Sequence, residues 1–189
     1  MTVRYRINST VCLALAASLS ACTAPEPPDS PAIDARCVDD GSGFVEADLF
    51  GSVETSVAWA DADADCTGMP KPDDSGARLR FAGKAADRDL VVIVGVDRLA
   101  RGTTGNGFAA NVTIIDESTS RFFSNGGVPN CWSDIYRQVE LDDDRTRVDG
   151  IVYCSGALAA QQSEGSIRLR DLRFRGQIVW TVEDSNLAL

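Results

Sequence analysis

The chain has 189 residues, contains no histidine and carries a formal net charge of −10 at pH 7. Its length fits one domain with a sizeable core, and its negative charge argues against nucleic acid as a partner, because carboxylates and phosphates repel each other. Without histidine the chain cannot build a Ser-His-Asp or Cys-His catalytic group or a histidine-ligated metal site.

The first predicted element is a signal peptide over residues 1–21. Two arginines precede an apolar run at residues 11–19, and this run is too short to span a membrane as a helix, which takes about 20 apolar residues. Charges, a short apolar run and then small residues form the pattern of a secretory signal. We therefore expect export of the chain.

The sequence Leu19-Ser20-Ala21-Cys22 ends this signal, and it resembles the lipobox of bacterial lipoproteins. The resemblance implies cleavage before Cys22, which would carry a diacylglyceryl group on its sulfur and usually a further acyl chain, such as palmitate, on its amine. Two or three acyl chains anchor a protein durably to a membrane. The alternative is an ordinary secretory signal with a coincidental cysteine. The globular part of the chain resembles no family known to us.

A proline-rich stretch follows the lipobox. Residues 22–36 hold four of the seven prolines, and proline favours extended backbone and lacks an N–H group. We expect residues 22–36 to form a lipidated, disordered tether, residues 37–184 a single domain, and residues 185–189 a tail.

The domain is predicted to be all-β. Three runs with alternating or continuous apolar residues are separated by Gly, Asn and Asp turns: 78–85, 89–96 and 107–116. Residues 91–96 are apolar on both faces, which is typical of a central strand, and residues 157–165 form at most a helical turn. The pattern favours an antiparallel β-sandwich, with an open β-barrel as the alternative.

Four cysteines remain for disulfides once Cys12 leaves with the signal and Cys22 is lipidated: Cys37, Cys66, Cys131 and Cys154. Exported proteins keep disulfides, and four cysteines allow three connectivities. The hairpin described next favours Cys131 with Cys154, which leaves Cys37 with Cys66. A Cys₄ zinc site is disfavoured because the chain has no C-x₂-C spacing.

One hairpin can be aligned from the sequence. A loop at residues 142–143 gives the following facing pairs: Cys131 with Cys154, Trp132 with Tyr153, and Glu140 with Arg145. In this alignment both cysteines lie on the apolar face, while the aromatic rings lie on the other. A disulfide between directly facing cysteines would close the open end of the hairpin.

The last predicted strand contains a β-bulge. The apolar alternation shifts by one residue near Arg170-Asp171, and a bulge restores a single core face. The bulge aligns four arginines on the solvent face: Arg168, Arg170, Arg173 and Arg175. They form either a solvated face that balances the acids or a docking stripe for an anionic partner such as peptidoglycan carboxylates, lipid phosphates or an acidic protein.

A run of acids suggests a calcium site. Asp61, Asp63 and Asp65 match the first three ligand positions of an EF-hand loop, but Cys66 replaces its glycine and Pro72 its bidentate glutamate. The EF-hand is therefore rejected. A looser calcium site at these aspartates is the alternative to a loop that keeps the chain soluble, and we expect no metal and no cofactor.

These features favour a lipid-anchored, non-enzymatic binding or assembly module of the cell envelope. Its expected partners are the membrane, through the anchor, and a cationic protein or cell-wall component. By the sorting rule of the resembled family, Thr23 is compatible with an outer-membrane location facing the periplasm or the cell surface. The alternative is a carboxylate-dependent hydrolase of envelope polysaccharide, which needs two acids converging in a cleft.

Overall fold

The computed structural model describes residues 36–73 and 75–180. The predicted signal peptide, Cys22, the tether before residue 36 and the tail lie outside these residues. The described part contains eleven strands and a short 3₁₀ turn, Asp61–Asp63. Within it, no helix has the length and apolar character needed to cross a bilayer.

The strands, in chain order, are β1 (Phe44–Gly51), β2 (Thr55–Ala60), β3 (Ala64–Pro70), β4 (Gly76–Ala85), β5 (Arg88–Asp97), β6 (Gly105–Asp116), β7 (Arg121–Ser124), β8 (Cys131–Glu140), β9 (Arg145–Cys154), β10 (Leu158–Ala160) and β11 (Ser166–Val179).

All strands belong to one antiparallel sheet, which confirms the all-β prediction. The main path runs β2-β1-β11-β10-β7-β6-β5-β4-β3, and the β8–β9 hairpin connects β6 to β11. The sheet curls, so that β3 lies against the end of β11: a Cβ atom added at Gly68 would overlap the carbonyl oxygen of Gln177. This arrangement is compatible with the predicted sandwich and with the open barrel.

One hydrophobic core fills the space inside the curled sheet. Its members come from the inward-facing positions of all eleven strands. Phe81 and Phe174 are fully buried, and their ring centroids lie 6.2 Å apart. Burial of each large apolar side chain contributes about 1.5–3 kcal/mol, so the core is the main source of stability.

The three predicted runs are strands β4, β5 and β6, with ends that differ from the prediction by at most two residues. Strand β5 pairs with β4 on one side and β6 on the other, which confirms its central place. The helical turn suggested for residues 157–165 is wrong, because Leu158–Ala160 forms β10 between β7 and β11. Leu158 is fully buried, so tertiary packing decides the conformation there.

The hairpin of β8 and β9 has the predicted register at its open end, where Cys131 faces Cys154 and Trp132 faces Tyr153. Near the loop the prediction is wrong, because Glu140 faces Thr146 and not Arg145. The cause is a β-bulge between Ile135 and Arg137, which adds one residue to β8.

Both predicted disulfides are present. The Cα atoms of Cys37 and Cys66 lie 4.6 Å apart, and those of Cys131 and Cys154 lie 4.0 Å apart. The first bond ties the start of the domain to β3, and the second closes the open end of the β8–β9 hairpin. Two disulfides are typical of a protein from an oxidising compartment.

The predicted bulge in β11 is also present. The pairing of β1 with β11 shifts between Glu46, which faces Arg173, and Asp48, which faces Arg170. Asp171 has a φ angle of 54° at this shift, in the left-handed region that aspartate tolerates better than most residues. As expected from the sequence, Leu169 and Leu172 are therefore both buried.

Candidate functional site

An open cleft of about 610 Å³ lies among residues of β2, the 3₁₀ turn and strands β3 to β5. We call it the acidic cleft, because its lining includes four carboxylates and one ammonium group: Asp63, Asp65, Asp89, Glu117 and Lys84. The carboxylates come from separate parts of the chain, and the antiparallel pairing of β3, β4, β5 and β6 brings them to one end of the sheet.

Small side chains leave the space for the cleft. Four alanines line it: Ala58, Ala62, Ala64 and Ala82. Beside them, the indole ring of Trp59 packs against Gly83, where an added Cβ atom would lie 3.0 Å from the ring. The Trp59 Nε1 atom donates a hydrogen bond of 2.6 Å to the carbonyl oxygen of Lys84. The wall of the cleft is therefore fixed by packing and by a hydrogen bond.

Local hydrogen bonds hold several of the acidic residues in place. The backbone N–H of Ala60 donates to Asp63 Oδ2 at 3.1 Å, which fixes that carboxylate at the 3₁₀ turn. The backbone N–H of Glu117 donates to the Asp89 carbonyl oxygen, and the Asp89 N–H donates to Ser118 Oγ, both at 2.9 Å. The segment that carries Glu117 is thus held against the start of β5.

The cleft carries an excess of negative charge. Lys84 Nζ lies 2.6 Å from Asp89 Oδ1, so the ammonium group balances one carboxylate. Asp65 and Glu117 form no ion pair within residues 36–73 and 75–180. Because the cleft is open and its acids are largely exposed, its field is screened by salt. The net negative charge of the acidic cleft can therefore attract a cation reversibly.

The three aspartates of the calcium hypothesis are divided between two places. Asp63 and Asp65 line the acidic cleft, whereas Asp61 is buried and its Oδ1 accepts a hydrogen bond of 2.8 Å from the backbone N–H of Val38. Within the described ranges, no group of three or more acidic, cysteine or histidine side chains could hold a metal ion. The calcium hypothesis therefore gains no geometric support.

The four arginines of β11 lie in two different environments. Arg175 is half-buried and donates from Nε to Asp149 Oδ1 at 2.7 Å and from Nη2 to Oδ2 at 3.3 Å. Arg170 donates to Asp48 Oδ2 at 2.8 Å. Arg168 and Arg173 are exposed and form no hydrogen bond or ion pair in the part of the chain that the structure describes. Docking of an anion along the whole row stays a prediction.

The paired groups stabilise each other's charged forms. The Ser56 hydroxyl, which donates to Asp48 Oδ1 at 2.7 Å, and next the Arg170 guanidinium lower the pKa of Asp48. The hydrogen bond to Asp48 in turn raises the pKa of Arg170, and the hydrogen bond to Asp149 raises that of Arg175. Arg170 and Arg175 therefore already use part of their hydrogen-bond donors within the domain.

The sequence analysis finds only part of the acidic cleft. Asp63 and Asp65 stand out because they belong to a repeated local pattern, but Asp89 and Glu117 lie at strand ends and belong to no repeated pattern. Their place in the cleft depends on how β4, β5 and β6 pair.

Comparison of the chain with known protein families, with curated proteins and with solved structures finds no match.

Proposed function

We propose that the chain is a lipid-anchored lipoprotein of the bacterial cell envelope, and that its acidic cleft binds a positively charged segment of a partner without catalysing a reaction. The observation that carries the proposal is the gathering of four carboxylates and one ammonium group in one cleft. A partner rich in Lys or Arg would complement this charge, and electrostatic complementarity speeds association and favours the correct partner.

Two further observations support the envelope location. The lipobox at Leu19-Ser20-Ala21-Cys22 implies a lipid anchor, and the two disulfides fit an oxidising compartment. An outer-membrane location facing the periplasm or the surface is the finer form of this proposal. Labelling of cells with a fatty acid tests the anchor: the native chain should take up the label, and Cys22→Ser should not.

The cleft is tested by removing three of its charges. The triple variant Asp63→Asn, Asp65→Asn and Glu117→Gln should bind an oligolysine peptide about tenfold more weakly than the native chain. Three exposed contacts of roughly 0.5 kcal/mol each add to about 1.5 kcal/mol, and a tenfold change corresponds to about 1.4 kcal/mol. Isothermal titration at low salt measures the difference. Raising the salt concentration should weaken binding to the native chain most.

A matched control separates the cleft from overall charge. The variant Glu54→Gln, Asp143→Asn and Glu164→Gln removes the same number of charges from exposed positions that do not line the cleft. It should bind the peptide almost as well as the native chain. Equal weakening in the two variants would mean that only the net charge matters, and the cleft would lose its role.

The alternative is a carboxylate-dependent hydrolase of envelope polysaccharide, which the presence of several acids in one cleft favours. The general acid of such enzymes sits in an apolar environment, whereas Asp63, Asp65 and Glu117 are exposed. This difference makes binding the better proposal. Release of reducing sugar from cell-wall polysaccharide by the native chain, and its loss in the triple variant of the cleft, would establish the hydrolase instead.

A further inference from the structure

A second cavity, of about 410 Å³, lies beside the Cys131–Cys154 disulfide. We call it the arginine groove. Its lining includes Phe50 of β1, Arg168 and Arg170 of β11, and the Ser155-Gly156 segment that follows β9. The groove thus contains only the N-terminal half of the arginine row and is separate from the acidic cleft.

The two guanidinium groups of the groove differ in whether they already have a partner. Arg170 is held in place: its Nη2 atom donates to Asp48 at 2.8 Å, and its Cζ atom lies 4.9 Å from the centroid of the Phe50 ring. Arg168 has no hydrogen bond or ion pair within the described residues. One fixed guanidinium therefore stands beside one that has all its donors free, and a guanidinium fork matches a carboxylate in shape and charge.

The rest of the lining is partly apolar. Leu169 and the disulfide-bonded Cys154 contribute to it. Phe50 keeps 38% of its surface exposed. An exposed aromatic ring next to an unpaired cation favours a ligand that carries an anionic group and a small apolar group together. A fully hydrated inorganic anion would leave the ring uncovered.

The groove lies at the end of β1 that is remote from the start of the domain. Phe50 is near the C-terminal end of β1, whereas Gly43, which directly precedes β1, packs against Cys37. The six-residue step from Phe44 to Phe50 spans about 20 Å at the usual rise per residue. The groove is therefore separated along β1 from the Cys37 end of the described residues.

We propose that the arginine groove binds the free C-terminal carboxylate of a short peptide with small apolar side chains. The carboxylate would pair with Arg168 and with the remaining donors of Arg170, and the terminal side chain would cover Phe50. In the cell envelope, an inference that rests on the proposed location, the stem peptides of the cell wall present this chemistry. The binding itself depends neither on the anchor nor on the acidic cleft.

The test is titration of the full chain, kept in mild detergent, with N-acetyl-Ala-Ala, followed by NMR. We expect saturable binding that is lost with the C-terminal amide of the same peptide. Arg168→Gln should weaken binding about tenfold or more, the size of one lost hydrogen-bonded charge contact. Phe50→Ser should also weaken it, although this variant leaves every charge in place.

Arg173→Gln is the matched control, because Arg173 lies on the same strand, is exposed and unpaired within the described residues, and does not line the groove. It should bind the peptide like the native chain, and all variants should keep the native melting temperature. Equal binding of acid and amide, equal weakening by Arg173→Gln, equally tight binding of inorganic phosphate, or no binding up to about 10 mM would each overturn the proposal. The charge-removed variant of the acidic cleft should bind the peptide normally, so the two proposals can fail separately.

Discussion

Asp149 of β9 and Arg175 of β11 face each other across the sheet and form a two-pronged ion pair, with N···O distances of 2.7 and 3.3 Å. Asp149 is only 2% exposed, and Arg175 is 28% exposed. A carboxylate this deeply buried is tolerated because its charge and its lone pairs are matched by the guanidinium. This arginine of the β11 row is therefore part of the framework of the domain.

Replacing Asp149 with Asn should lower the free energy of unfolding by about 3 kcal/mol, because Arg175 would keep its charge in a half-buried place without a balancing carboxylate. Urea denaturation measures the change. Asp143→Asn is the control: Asp143 is exposed in the β8–β9 loop, so its replacement should change stability by less than about 0.5 kcal/mol. A similar loss in both variants would contradict the assigned role of the pair.

Asp61 should act as a structural acceptor for the Val38 N–H group. Asp61→Ala leaves this buried donor unsatisfied, which should cost about 1–3 kcal/mol. Asp61→Asn keeps a carbonyl acceptor and should lose less. Melting curves with calcium and with a chelator should show the same difference between native chain and variants. A calcium-dependent rise in melting temperature that disappears in Asp61→Asn would instead support a metal site.

Gly68 should be essential for the contact between β3 and β11. Its Cβ atom in a Gly68→Ala variant would overlap the backbone of Gln177, so we expect a loss of about 1–3 kcal/mol from the displacement of the strands. Gly95 is the control, since an added Cβ there would come no closer to any atom than 3.4 Å, at Lys71 Cε. Gly95→Ala should leave stability almost unchanged, and the comparison can be made by thermal unfolding.

Tyr153 should make stability depend on pH on the alkaline side. Partial burial, and next the charge of Asp134, raise the pKa of Tyr153 in the folded protein. The unfolded chain, with a tyrosine pKa of about 10, loses the proton first. The contribution of Tyr153 to stability is therefore fully present below about pH 10 and disappears as the pH rises through the folded pKa.

The titration of Tyr153 can be followed by the absorbance of its phenolate in a Tyr136→Phe background, which removes the other tyrosine of the described ranges. Asp134→Asn should lower the pKa of Tyr153 part of the way, because burial is the larger cause and remains. An unchanged pKa in this variant would show that Asp134 has no influence on the phenol.

The sequence predicts this fold well where two independent patterns indicate the same strand pairing. At the open end of the β8–β9 hairpin, facing cysteines and facing aromatic residues indicate the same register, and both pairs are correct. Towards the loop the only guide is an acid facing a base, and this signal does not show the extra residue inserted after Ile135. A bulge in a polar stretch changes no apolar pattern, so the sequence hides it.

The two candidate sites differ in how far the sequence predicts them. The arginine groove is partly predictable, because Arg168 and Arg170 lie on one strand whose apolar alternation fixes which way they face. The acidic cleft is not predictable as a whole, because Asp89 and Glu117 join Asp63 and Asp65 through the register in which β3, β4, β5 and β6 pair. Register is set by the apolar pattern and the turns of whole strands, which the acids themselves do not reveal.

The bulge at Asp171 decides how β1 and β11 align. On one face, β11 presents an arginine opposite every outward residue of β1: Phe44, Glu46, Asp48 and Phe50. Sliding β1 by two positions would again set acids against arginines and apolar residues against the core, since both patterns repeat every second residue. Ala47 faces the one place where this repetition is broken. Deletion of Asp171 would therefore give a strand with perfect alternation, which could pair with β1 in several nearly equivalent registers. In the native chain this single irregular residue makes one register unique.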